Sequence, residues 1–388
     1  MGRRRRLAAG LLVVAVVPGC TVDGGRDAAA VGAVAPPPSG AATRSAALAE
    51  GVQAAVARVW PRTRAIWPGA DFAAHRVIVG DGDAAFAVDA GGLRPVSPDE
   101  FAAQGVRVPG PGGADAVTWD GEPSVVVRPE AAGRPEPDPT GLRSADPALA
   151  LFALATRELF HLRVQEDWPS LAEPAEGDGG GPGGGGPRGD GPGGGGPRGD
   201  GPGGGGPRGD GPGGGGAGGE GPAEAAARLY RAMVYNRLLD AYRDPGARDG
   251  HLAAAAYWHG RWAAEYPREA AGQRRADLVE GTAAYVEQYA VAMAAADDPA
   301  AYVTRTYRPM TAPDRDAEPR AIGALALLNA DALGLDAKRR LAREPVTPVE
   351  ALLEGVEPRR DAVPAEVRAG FARGAAEARA RPEPSAAP

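Results

Sequence analysis

Apolar side chains recur at helical spacing between residues 44 and 60, where Leu48, Val52, Val56 and Val59 share one face and predict a helix. The pattern then changes. Arg76 to Val79, Ala84 to Val88 and Ser124 to Val127 are short apolar runs punctuated by Gly and Pro, and they predict strands. Helical periodicity returns at Asp146. That residue suits an N-cap and Pro147 suits the first helical position, so a helix is expected from there to about Glu166, ending before Trp168-Pro169. Further helices are expected at about 223–243, 248–265, 273–296, 319–334 and 364–380. The chain therefore reads as α+β and mostly helical, with a small N-terminal sheet followed by a helical half.

One segment interrupts that half. Residues 177–221 repeat Gly-Asp-Gly-Pro-Gly-Gly-Gly-Gly-Pro-Arg with a ten-residue period and hold 29 of the 59 glycines, so glycine usage elsewhere is ordinary. Without apolar side chains the segment builds no core, and it is expected to be a disordered surface insertion. Glycine is not every third residue, which excludes collagen. Arg-Gly-Asp occurs from Arg188, Arg198 and Arg208, in the manner of integrin ligands. Repeat expansion in GC-rich coding sequence is the preferred explanation, since a tripeptide without structural context is a weak motif.

Composition changes the picture at the N-terminus. Arg3 to Arg6 form a basic n-region and Leu7 to Val17 a short apolar h-region, a secretory leader pattern. Val17-Pro18-Gly19-Cys20 resembles the lipobox of bacterial lipoproteins, apart from Pro18. The resemblance implies cleavage before Cys20, lipidation there, and an extracytoplasmic protein anchored to the bacterial cell membrane by its lipid. Cys20 is the only cysteine, so no disulfide forms within the chain. The expected organisation is a leader at 1–19, a flexible tether at 20–43, an N-terminal lobe at 44–173 and the repeat insertion at 174–222. A C-terminal helical lobe at 223–360 and a helix with a tail at 361–388 complete it. Loss of Arg3 to Arg6 takes the formal charge from −7 to −11, which gives no support for nucleic-acid binding.

The chemistry lies on the 147–166 helix. Arg157, Glu158, His161, Gln165 and Trp168 fall within one arc of about 100° on an ideal helix, while Leu149, Phe152, Leu159 and Phe160 occupy much of the rest. A polar stripe on a buried helix needs partners or a site. An H-E-x-x-H helix puts two histidines on one face to hold zinc, with the Glu as general base on the zinc water. Arg157-Glu158-Leu159-Phe160-His161 resembles that box with its first His replaced by Arg. Farther on, Glu280-Gly281-Thr282-Ala283-Ala284-Tyr285-Val286-Glu287 resembles the E-G-x-A-x-Y segment of gluzincin-type metallopeptidases. The resemblance spans roughly 120–340. It implies a zincin-like fold, with His161 and Glu280 at zinc-ligand positions and Glu158 at that of the base. Glu280, Ala284 and Glu287 share a helix face, where Ala allows close approach of another helix.

The departure at Arg157 decides the expectation. A guanidinium is always cationic and offers no lone pair, and a catalytic zinc usually has three protein ligands. The expected protein is therefore a vestigial peptidase without zinc, in which Arg157 substitutes for the metal's charge by pairing with Glu280 or Glu158. It would bind a peptide or protein ligand in the old cleft, beside an edge strand such as 124–127. Two alternatives stay open. His251 or His259 could complete a zinc site and leave an active peptidase, or the stripe could be a core salt-bridge network in a structural envelope lipoprotein. His75, Tyr257, Trp258 and Tyr285 read as structural. The sequence carries no G-x-S-x-G elbow and no Walker loop, and no cysteine nucleophile lies in the fold.

Overall fold

A computed structural model describes residues 40–81, 84–129, 144–168, 171 and 222–380. The leader, Cys20, the tether before residue 40, the 177–221 repeats and residues 381–388 lie outside the described residues. The first helix, α1 (Gly40–Val59), begins inside the expected tether. A short turn at Trp60–Arg62 and α2 (Thr63–Ile66) lead into a five-stranded sheet. Its strands are β1 (Arg76–Gly80), β2 (Ala85–Asp89), β3 (Gly92–Val96), β4 (Ala114–Trp119) and β5 (Glu122–Val127), with α3 (Pro98–Ala103) between β3 and β4.

The strand order is β3-β2-β1-β5-β4. Only β1 and β5 run parallel, with Val77 opposite Val125 and Val79 opposite Val127. The sequence expectation of an edge strand at 124–127 is thereby corrected: β5 is interior, and the edges are β3 and β4. The reason is visible in the side chains. Val125, Val126 and Val127 are all fully buried, because both faces of the sheet are covered. Val77, Val79, Val88, Val125 and Val127 face the main core with α1, while Ile78, Ala87, Val126 and Trp119 form a second cluster capped by Phe101 of α3.

The motif helix, α4 (Pro147–Phe160), starts as expected, with the Asp146 carboxylate accepting from the Ala148 and Leu149 backbone N–H groups at 2.9 and 3.3 Å. It continues as one wide π-turn over His161–Gln165. The helical half follows as α5 (Pro222–Arg243), α6 (Arg248–Glu265), α7 (Pro267–Ala295), α8 (Pro299–Thr306), α9 (Glu318–Ala332), α10 (Ala337–Leu341), α11 (Pro348–Leu353) and α12 (Ala365–Ala380).

The helix α7 packs against α4 on one side and α9 on another. Gly281 makes the α7–α9 crossing possible. A Cβ there would lie 2.9 Å from Gly323 Cα and 3.1 Å from the Pro319 carbonyl oxygen. A buried ion network joins α5, α7 and α9. Arg231 Nη2 meets Asp277 at 2.5 Å, its Nε meets Glu318 at 2.9 Å, and Arg228 Nη1 reaches the same Glu318 oxygen at 2.5 Å. Arg228 also pairs with Glu269, so three carboxylates share two guanidinium groups.

Candidate functional site

The packing of α4 on α7 brings the two motif segments together. Arg157 Nη2 donates to Glu280 Oε2 at 2.6 Å, between side chains that are 20% and 31% exposed. Burial works against the guanidinium's charge, but Glu280, Glu287 and Glu158 outweigh it and raise the Arg157 pKa. Arg157 is thus the cation around which three carboxylates gather. Its Nε has no hydrogen-bond partner among the described residues.

Glu158, next on the helix, is half-buried. Burial pushes its carboxyl pKa up; His161 and Arg157 pull it down, and Glu280 and Glu287 push it up further. Among the described residues no ion pair within 4 Å forms at Glu158. Its charge is therefore less favoured than that of an exposed glutamate, and it stands beside a carboxylate that has a guanidinium of its own.

One turn on, the π-turn changes what the sequence pattern implied. Gln165 is buried and ties α4 to α7: its Nε2 donates to the Val279 carbonyl at 2.9 Å and to Thr282 Oγ1 at 2.6 Å. Thr282 Oγ1 in turn donates to the Leu278 carbonyl at 2.7 Å. The Gln165 Oε1 lies 2.5 Å from His161 Nδ1. A backbone carbonyl only accepts, so the amide N–H₂ faces α7 and Oε1 is the acceptor for His161. The ring is therefore protonated at Nδ1, and in its neutral form Nε2 carries the lone pair.

Trp168 is mostly buried: it stacks on Trp67 at 5.5 Å between ring centroids and meets Phe160 edge-on at 6.0 Å, while part of it lines the cleft beside His161.

A cleft of about 410 Å³ opens beside His161, lined by Gln165, Glu166, Asp167, Trp168, Leu171, Arg275 and Val279. Arg275 Nη1 donates to the Leu171 carbonyl at 2.9 Å. Thr282 and Arg275 were not singled out by sequence reasoning. A threonine within the Ala-rich stretch of α7 was the available signal for the first; nothing marked the second.

The other histidines are elsewhere. His259 lines a separate cleft with Glu350 and Leu353, and burial lowers its pKa. His251 lies on the same helix, two turns earlier. His75 is buried with its Nδ1 unpaired among the described residues, and burial lowers its pKa too. Among the described residues no group of three His, Cys, Asp or Glu side chains is arranged to hold a metal ion. No protein-family model, curated protein or solved structure matches this chain.

Proposed function

We propose that this chain is a membrane-anchored extracytoplasmic lipoprotein with a gluzincin-like metallopeptidase architecture, which binds peptide or protein in its cleft without cleaving it. The observation that carries this reading is the 2.6 Å ion pair between Arg157 and Glu280. The two residues stand at positions that the resemblance gives to zinc ligands, and they neutralise each other.

The residues present do not fit a catalytic zinc. Arg157 supplies no lone pair, and Glu280 is engaged by its guanidinium, so His161 alone keeps a free donor of the three positions. Glu158, at the position of the base, therefore adjoins no fitted zinc site. What the site offers is recognition: a cleft beside α4 and α7, with polar groups on its walls. The strand nearest this role is β4, a sheet edge against which α4 packs, on which an extended peptide can add by main-chain hydrogen bonds.

A quenched fluorogenic peptide library, incubated with the mature chain with and without added zinc, tests the proposal. Saturable binding without hydrolysis is the expected result. Zinc-dependent cleavage by the pure protein would overturn it.

A further inference from the structure

The peptide-binding reading leaves the ligand's chemistry unspecified, and the cleft walls narrow it. Three side chains that can accept hydrogen bonds line the opening. One is His161, whose Nδ1 is held by Gln165, so that in the neutral ring Nε2 is the acceptor left over. Glu166 and Asp167 contribute carboxylates, both exposed and neither in an ion pair among the described residues. Arg275, the one cation on the wall among the described residues, is turned to the Leu171 carbonyl.

The wall also has an apolar part, made by Trp168, Leu171 and Val279. Acceptors beside an apolar strip match a cationic donor carried on a hydrocarbon stem. A bare metal ion is a poorer match, since no three such side chains among the described residues converge as ligands.

We infer that the cleft selects a basic side chain, arginine or lysine, of its peptide ligand, through His161 Nε2, Glu166 and Asp167. This rests on the peptide-binding proposal and adds a specificity to it. Gln165 is the positioning residue. Its amide is fixed by Val279 and Thr282, and it in turn fixes which nitrogen of His161 is free.

The test is fluorescence polarisation on the full mature chain with capped, labelled pentapeptides, Ala-Ala-Xaa-Ala-Ala, where Xaa is arginine, citrulline or glutamate. Citrulline keeps the shape of arginine and removes its charge. The arginine peptide is expected to bind about tenfold more tightly than the citrulline peptide, as two half-screened carboxylates and one lone pair would give. In the double variant Glu166→Gln/Asp167→Asn that preference is expected to fall to about twofold or less, with the citrulline peptide unaffected. Both positions are exposed, so the variant keeps the wild-type thermal melt.

Equal binding of all three peptides overturns the inference and leaves peptide binding standing. An unchanged preference in the double variant also overturns it. Absence of binding by every peptide sinks the inference together with the reading beneath it.

Discussion

Replacing Arg157 should cost more stability than replacing its ion-pair partner, and the structure says why. Arg157→Met removes a guanidinium that Glu280, Glu287 and Glu158 all act on, and leaves their mutual repulsion without it. Breaking a fully buried pair costs roughly 3–5 kcal/mol. Here the side chains are 20% and 31% exposed, so solvent screens part of the repulsion, and about 2–3 kcal/mol is the expected loss. Glu280→Gln behaves differently. The guanidinium keeps Glu287 and Glu158 near it, and the amide oxygen still accepts a hydrogen bond, so about 1 kcal/mol is expected. Urea unfolding at pH 7 reads the difference as a midpoint lower by roughly 1 M for Arg157→Met. Repeating it at pH 5 should narrow the gap, because the stranded carboxylates then take up protons. Equal losses for the two variants, or a gap that ignores pH, would refute the picture of one cation serving three anions.

Three further outcomes follow from the same packing. Gly323→Ala would drive a methyl group into Gly281 Cα and force α7 and α9 apart, so a loss of about 3 kcal/mol is expected in urea unfolding; a neutral variant would mean the helices are not so close. Burial pushes Glu318 up to about 7 against the pull of Arg231 and Arg228. A folded-state pKa above the unfolded one gives stability that is complete below the unfolded value and lost as pH rises through the folded value. Tm should therefore fall as pH rises from 4.5 to about 7 and level off above that, and Glu318→Gln should flatten that fall, since Asp277 and Glu269 then balance the two arginines one to one; a rise in wild-type Tm over this range would contradict it. Nitrogen NMR of the neutral His161 ring should show a protonated Nδ1 and a bare Nε2, with Gln165→Leu mixing the two tautomers; an Nε2-protonated ring in the wild type would break the assignment.

Much of the helical half was legible because its signals are local. Asp146-Pro147 marked the start of α4, and the expected helices at 223–243 and 248–265 lie within a residue of α5 and α6. The longest helix was cut short at its start: α7 begins at Pro267, where proline fits the first helical position, six residues before the expected 273. The sheet was harder. Strands β3 and β4 went unseen because β3 contains Pro95 and β4 is largely exposed, so neither shows an apolar run. The interior place of β5 was in fact written in Val125-Val126-Val127, since three consecutive apolar residues need cover on both faces.

The site divides in the same way. Arg157, Glu158, His161 and Gln165 on one helix face were readable from spacing, and Glu280 on another helix from the resemblance of its segment to the gluzincin pattern. Charge led to the expectation that Arg157 would pair with Glu280 or Glu158, and the ion pair within reach is with Glu280. The π-turn at His161–Gln165 was not readable, because it is held by tertiary contacts such as Gln165 with Val279 and Thr282. Those contacts join residues more than a hundred positions apart, and no local pattern encodes them.

The central claim is that arginine at position 157 occupies the place of a metal ligand. Zinc stoichiometry by equilibrium dialysis, on the mature wild type and on Arg157→His, tests it most directly. The account predicts no bound zinc in the wild type and about one per chain in the variant. Zinc held by the wild type, or by neither protein, would contradict it.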